Sequence, residues 1–309
     1  MLNLRKVSLT IMIILLLTFI TACTPSSNTE EEITNLDRNV TNILDSDESE
    51  EVALETEDNN IRETVEEQVL LDQDDIKITL KSLDFDGFYG PELKVLIENN
   101  SDKSIIVQTR DSSVNDIMIE TMFSCNVAAG KKANDSIDFM RADFEQAGIA
   151  TIQNIEFKFH IFDSDKWDVI LDSDTITVNT TADPSYVQAY DDSGLVVLDD
   201  KDIKIVMKRV SSTESFWGAD VYVYIENNSD KDVTIQARDV SINGFMIDPI
   251  FSSDVLSGKK AYDTITFFES DLADNDIKSI DIMELSFHIF DSNSWDTYFD
   301  TQLIEVTFE

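Results

Sequence analysis

The sequence is poor in the residues that usually carry chemistry. Its 309 residues include two cysteines, two histidines, four prolines and eight glycines, and 23 Lys+Arg stand against 62 Asp+Glu. Two cysteines cannot build a disulfide framework, and two histidines exclude a His-rich metal site. A formal net charge of −39 excludes nucleic acid, or an anionic bilayer, as a partner held by a general basic surface. Yet 42% of the residues are hydrophobic, so the chain can bury real cores and is not an acidic disordered polymer throughout. Its length suits two domains.

The most apolar run stands at the N-terminus. Arg5 and Lys6 precede Ile11 to Ile20, interrupted only by Thr18, and the run ends at Ile20-Thr21-Ala22-Cys23. It is short for a bilayer span and is placed like the apolar region of a secretory signal. The ending resembles a bacterial lipobox, in which small residues precede a cysteine that is diacylated and becomes the first mature residue. The plainer alternatives are an ordinary signal peptide or an anchor helix with an incidental cysteine. The expectation is a lipoprotein signal peptide at 1–22 and a lipid on Cys23, palmitate included. Two acyl chains would hold the protein on the extracytoplasmic face of the cell membrane.

Residues 24–68 hold fifteen Asp+Glu, two Arg, no aromatic residue and no glycine. Such a stretch cannot bury enough apolar surface to offset its ordering entropy, so 23–68 reads as an acidic disordered linker. Its reach as a flexible chain is roughly 40 Å. Ile33, Leu36, Val40 and Ile43 fall at helical spacing, which leaves a transient partner-binding helix as the alternative.

The remainder is one pattern written twice. Ile97-Glu98-Asn99-Asn100-Ser101-Asp102-Lys103 recurs at Ile225 to Lys231, an offset of 128. The same offset relates Arg110-Asp111 to Arg238-Asp239, Gly130-Lys131-Lys132-Ala133 to Gly258-Lys259-Lys260-Ala261, and Phe159-His160-Ile161-Phe162-Asp163 to Phe287-His288-Ile289-Phe290-Asp291. A period of this length is domain-sized, far above that of a solenoid. Two repeats are expected at 69–182 and 195–309, with a short junction at 183–194. Within each, apolar residues alternate with polar ones, as in Ile76, Ile78 and Leu80 or Val221, Val223 and Ile225, which is the period of a strand. Asn243-Gly244 between apolar flanks signals a tight hairpin, with Asn115-Asp116 in its place in the first repeat. Only 141–146 and 269–273 look helical. The expected class is all-β: two tandem antiparallel immunoglobulin-like β-sandwiches.

The Ile-Glu-Asn-Asn-Ser-Asp-Lys strand end, the Asn-Gly hairpin, the Gly-Lys-Lys turn and the Phe-His-Ile-Phe-Asp strand resemble a family of immunoglobulin-like repeat domains. These domains occur in lipoproteins and secreted proteins of Gram-positive bacteria. The resemblance covers both repeats and implies an extracytoplasmic, non-enzymatic module; it implies no catalytic residues.

The candidate sites are sparse. Phe85, Phe88 and Tyr89 in the first repeat, and Phe216 and Trp217 in the second, place aromatics in a loop that could contact carbohydrate or protein. Asp163, Asp165 and Asp168, with Asp291, Asn293 and Asp296 in the second copy, are candidate Ca²⁺ ligands, but they lack the glycine and glutamate of an EF-hand loop; solvated turns are the competing reading. His160 and His288 read as structural, Trp167 and Trp295 as caps on the cores, and Arg110-Asp111 and Arg238-Asp239 as local ion pairs. Cys125 has no disulfide partner and no evident base. No catalytic constellation, metal centre or cofactor is otherwise indicated. The expected function is a non-catalytic binding module of the cell envelope, with an envelope protein or a carbohydrate as partner. The alternatives are a structural spacer or accessory subunit, and after these a hydrolase built on aspartate pairs.

Overall fold

The computed structural model describes residues 62–211 and 218–308. The expected signal peptide, Cys23, most of the expected acidic linker, Phe216 and Trp217 lie outside the described residues. Where the strands alternate in sequence they alternate in burial: Ile76, Ile78, Leu80, Leu93, Val95 and Ile97 are all buried, while Lys77, Lys94 and Glu98 keep access to water.

Eleven strands form in the first repeat: β1 (Gln68–Gln73), β2 (Ile76–Asp84), β3 (Glu92–Asn99), β4 (Ile105–Val114), β5 (Ile117–Met118), β6 (Thr121–Met122), β7 (Ser124–Val127), β8 (Lys132–Phe139), β9 (Asn154–Asp163), β10 (Val169–Asp172) and β11 (Ile176–Asn179). The second repeat supplies β12 (Leu195–Asp200), β13 (Ile203–Val210), β14 (Gly218–Asn227), β15 (Val233–Ile242), β16 (Phe245–Met246), β17 (Ser252–Val255), β18 (Lys260–Phe268), β19 (Ile282–Asp291), β20 (Thr297–Asp300) and β21 (Ile304–Thr307). A short helix follows β8 at Arg141–Ala147, and its counterpart follows β18 at Glu269–Asp274. The stretch from Trp167 to Val178 holds two strands and not one, because β10 and β11 share β9 as their partner, with Ser173, Asp174 and Thr175 between them.

The first repeat places the order β1-β2-β3-β8-β6 in one sheet, and β10-β9-β4-β5 in another, with β11 on β9 and β7 on β4. The second repeats this arrangement as β12-β13-β14-β18 and β16-β15-β19-β20, with β17 on β15 and β21 on β19. Each copy has its own buried hydrophobic cluster, so the character is sandwich-like and all-β. All pairings between these strands are antiparallel except one. The hairpin strand β5 runs parallel to the start of β18, with Ile117 opposite Lys260 and Met118 opposite Ala261. One sheet therefore continues from the first repeat into the second.

The last residues of the expected linker belong to the folded part. Thr64 N–H donates to the Thr181 hydroxyl at 2.9 Å, Thr181 N–H donates to the Thr64 carbonyl, and Val65 packs against the first core. The backbone there finds its partner at Thr181, just beyond the strand that ends at Asn179, which is why an acidic, apolar-poor stretch is ordered at its end.

The Asn-Asn-Ser-Asp turns do more than reverse the chain. Asn99 and Asn227 are fully buried. The Asn227 amide group donates to the carbonyls of Lys231 (2.7 Å) and Val255 (2.8 Å), and its oxygen accepts from the Ser229 N–H (3.0 Å) and hydroxyl (2.7 Å). Asn99 does the same with Lys103, Val127 and Ser101. Since Val127 and Val255 lie in the opposite sheets, this side chain ties each copy's two sheets together. Asn227→Ala should destabilise the protein by about 1–3 kcal/mol, because it strands buried carbonyls, while the exposed neighbour Asn228→Ala should stay within about 0.5 kcal/mol of native. Denaturant unfolding of the two variants checks this.

Candidate functional site

The end of the Phe-His-Ile-Phe-Asp strand builds the same feature in both copies. Asp163, the last residue of β9, accepts at its Oδ1 from the backbone N–H of Asp165 (2.9 Å) and Lys166 (3.1 Å), and its carbonyl accepts from Trp167 N–H (2.8 Å). Asp291 does likewise with Asn293, Ser294 and Trp295. The turn so closed holds each tryptophan at a φ of 64°. That conformation throws the indole outward over the strand. Trp167 stacks on Phe162 with centroids 5.4 Å apart and planes 21° off parallel, and Trp295 stacks on Phe290 at 5.5 Å and 20°. His160 and His288 extend the row, with ring centroids 5.4 and 5.2 Å from the same phenylalanines. The outer end of each row is open: Trp167 is 70% and Trp295 76% exposed.

The tryptophans are thus not caps on the cores. A bulky residue in the left-handed region costs about 1–3 kcal/mol, and an aromatic stack returns about 0.5–1.5 kcal/mol. Stability alone does not account for a tryptophan there. The histidine at the inner end is positioned by a carboxylate, His160 Nδ1 lying 2.5 Å from Asp172 Oδ1 and His288 Nδ1 2.5 Å from Asp300 Oδ1. Paired in this way, and with one histidine per copy, the ring serves as an oriented support for the aromatic row.

The candidate Ca²⁺ ligands resolve into these turns. Asp163 and Asp291 spend a carboxylate oxygen on two backbone N–H groups each, which holds their carboxyls below the usual aspartate range; Asp291 also pairs with Lys231 Nζ at 3.0 Å. Asp168 and Asp296 contribute their carbonyls to the N–H of Asp163 and Asp291. Asp165 and Asn293 serve the turn through their own N–H groups. Among the described residues no group of three His, Cys, Asp or Glu side chains is placed to hold a metal ion.

The other aromatic loop divides. Phe88 is almost fully exposed and meets Tyr89 edge-on at 4.9 Å, whereas Phe85 turns in against the first core beneath the Arg62 guanidinium. Phe85 is therefore a support for the loop and not a contact residue. The Arg-Asp pairs are not ion pairs within the dipeptide either. Asp111 pairs across the sheet with Lys158 Nζ at 2.7 Å, and its φ of 54° marks a bulge in β4. Burial, followed by the neighbouring Asp135, pushes the Cys125 thiol up to about 12, which leaves it an inert core residue.

Sequence reasoning missed an acidic cleft of about 520 Å³ where the two repeats meet. The β4 bulge, the segment after β5, the first helix, β17 and β18 bring Glu120, Asp143, Asp254 and Asp263 to its walls. Their spacing in sequence carries no signal, since the copies contribute separately. Burial, followed by Glu120 and Asp263, raises the Asp143 carboxyl to about 6, and burial raises Asp263 as well. On the sheet face, Asp138 is raised to about 6 by burial and by Glu92 across from it, while Lys94 holds Glu92 low.

No protein-family model and no curated protein matches the chain.

A carboxyl raised in the folded state favours folding only where it keeps its proton, so its contribution is full below the ordinary value of 3.8 and is lost as pH rises through about 6. Asp143→Asn should therefore raise the melting temperature at pH 7.5 and have little effect at pH 4. Thermal melts of the two proteins at both pH values check the sign.

Proposed function

We propose that the chain is a lipid-anchored, extracytoplasmic lipoprotein that acts as a non-catalytic binding module of the cell envelope. In this reading Cys23 carries the lipid, the acidic segment holds the folded part off the membrane, and the two repeats are immunoglobulin-like sandwiches. The lipobox, the linker composition and the resemblance of the repeat motifs support it.

The observation that carries the binding role is the duplicated Trp-Phe-His row. Two copies that have diverged at many surface positions keep the same strained turn, the same stack and the same His–carboxylate support. An open indole face backed by a second ring suits a ligand with a flat apolar face and polar edges, such as a sugar ring of an envelope polysaccharide or a proline-containing segment. Two such faces on one chain let weak contacts add by avidity.

The acidic cleft favours a second reading, a hydrolase with Asp143 as proton donor and Glu120 or Asp263 as its partner. Asp143→Asn separates the readings, because binding through the tryptophan rows does not involve it.

Co-sedimentation of the full chain with insoluble envelope fragments, peptidoglycan with its attached polysaccharide, tests the leading proposal. Trp167→Ala and Trp295→Ala should each weaken retention by about tenfold, and the double variant more than either. All three variants should melt within a few degrees of native. Retention unchanged in the double variant, or absent in the native chain, would contradict it.

A further inference from the structure

The hairpin that joins the two repeats exists twice, and among the described residues only one of the two is covered. In the first repeat Asn115-Asp116 leads into β5; there Ile117 is fully buried and pairs with β18 of the second repeat. In the second repeat Asn243-Gly244 leads into β16 at the same position, and Phe245 and Met246 are 48% and 68% exposed. The first hairpin is buried against the second repeat, whereas its duplicate has no such neighbour among the described residues.

The receiving edge is duplicated too. Asn227 N–H donates to the Lys259 carbonyl at 3.0 Å, so Glu226 and Lys260 form a wide pair and the Lys260 N–H points away from β14. It donates instead to the Asp116 carbonyl of the first repeat at 2.9 Å. In the first repeat Asn99 N–H donates to the Lys131 carbonyl at 2.9 Å, which turns the Lys132 N–H outward in the same way. Among the described residues β8 has a neighbour on that side only at Asp138 and Phe139, where β6 pairs. The Lys132 side chain is 61% exposed against 15% for Lys260. Among the described residues the hairpin at one end and the matching edge at the other are thus both uncovered.

We propose that chains associate head to tail, β16 of one molecule adding in parallel to the free edge of β8 of a second copy, with Phe245 opposite Lys132 and Met246 opposite Ala133. The template is the chain's own internal junction. There Lys259 Nζ binds Asp116 at 2.7 Å and Glu156 at 2.5 Å. Between molecules Lys131 takes the place of Lys259 and Glu284 that of Glu156, so one of the two ion pairs is kept. Gly244 replaces Asp116, and Asn134 replaces Tyr262, so the contact between molecules is weaker than the one within. The larger apolar surface of Phe245 and Met246 partly offsets this. Because the two surfaces differ, each contact leaves one of each free, and the product is an open row and not a closed dimer.

Cross-linking of full-length chains tests this. Both chains carry Cys125→Ser, the residue that the second repeat has at that position. One also carries Lys132→Cys, the other Phe245→Cys, and the two bear different tags. A short bismaleimide should join the mixed pair about tenfold more than either variant alone, and Met246→Asp in the Phe245→Cys chain should reduce that yield at least about fivefold. Both cysteines replace exposed side chains, and the single-variant samples carry the same background from Cys23. A mixed yield no higher than in the single-variant samples would overturn the proposal. So would an undiminished yield with Met246→Asp, or equal joining of Lys132→Cys chains to one another.

Discussion

A strand edge left bare offers its N–H and carbonyl groups to whatever comes, and the pairing of β5 with β18 closes one such edge. The rest of the two-repeat unit depends on that contact. It turns the sheet of one copy into a continuation of the other, and it brings the first repeat's Met118 against the second core and the second repeat's Tyr262 against the first. Burial opposes the charge on Lys259, but its hydrogen bonds to Asp116 and Glu156 outweigh that and leave its pKa above the ordinary lysine value. A chain so rich in carboxylates places one of its few cations where two of them converge. The acidic cleft, with its raised Asp143, is a consequence of the same approach.

The two copies share a scaffold and differ where they meet. Asn99 and Asn227 tie the sheets of each copy through the same carbonyls, and the aspartates that end β9 and β19 close the same turns. Against that constant background, Tyr224 and Tyr262 stand where the first copy has Leu96 and Asn134, and their rings meet at 5.1 Å beside the junction. The Tyr262 hydroxyl accepts from the Asp191 N–H at 2.8 Å, and Lys260 sits over the Tyr190 ring. The junction segment is therefore built into the contact and is more than a connection.

Much of the scaffold was legible in the residues. Alternation at 76–80 and 221–225 has a direct physical cause in the pleat, and the offset of 128 needed no structural knowledge. Asn243-Gly244 forms the expected two-residue turn, with both residues at positive φ. What could not be read is what depends on distant partners. The acidic cluster at 163–168 looks the same in sequence whether its carboxylates face a cation or cap a turn, and only the hydrogen bonds of Asp163 decide. Trp167 reads as core from its hydrophobicity, because nothing local announces a left-handed backbone at a tryptophan. Phe85 and Phe88 sit three residues apart in one loop, yet one faces the core and the other water. The cleft was invisible because its carboxylates come from both repeats.

Among the described residues the folded part shows an aromatic row on each copy, an uncovered hairpin at one end and an uncovered edge at the other. The hairpin and the edge both take the internal junction, an edge pairing, as their template. Amide hydrogen exchange at Lys260 and Lys132, measured residue by residue in dilute solution, tests that most directly. The two amides occupy equivalent places, and only Lys260 has a strand from the other repeat to bond with. Lys260 should exchange slower than Lys132 by about tenfold or more. Equal exchange at the two positions would contradict the edge pairing.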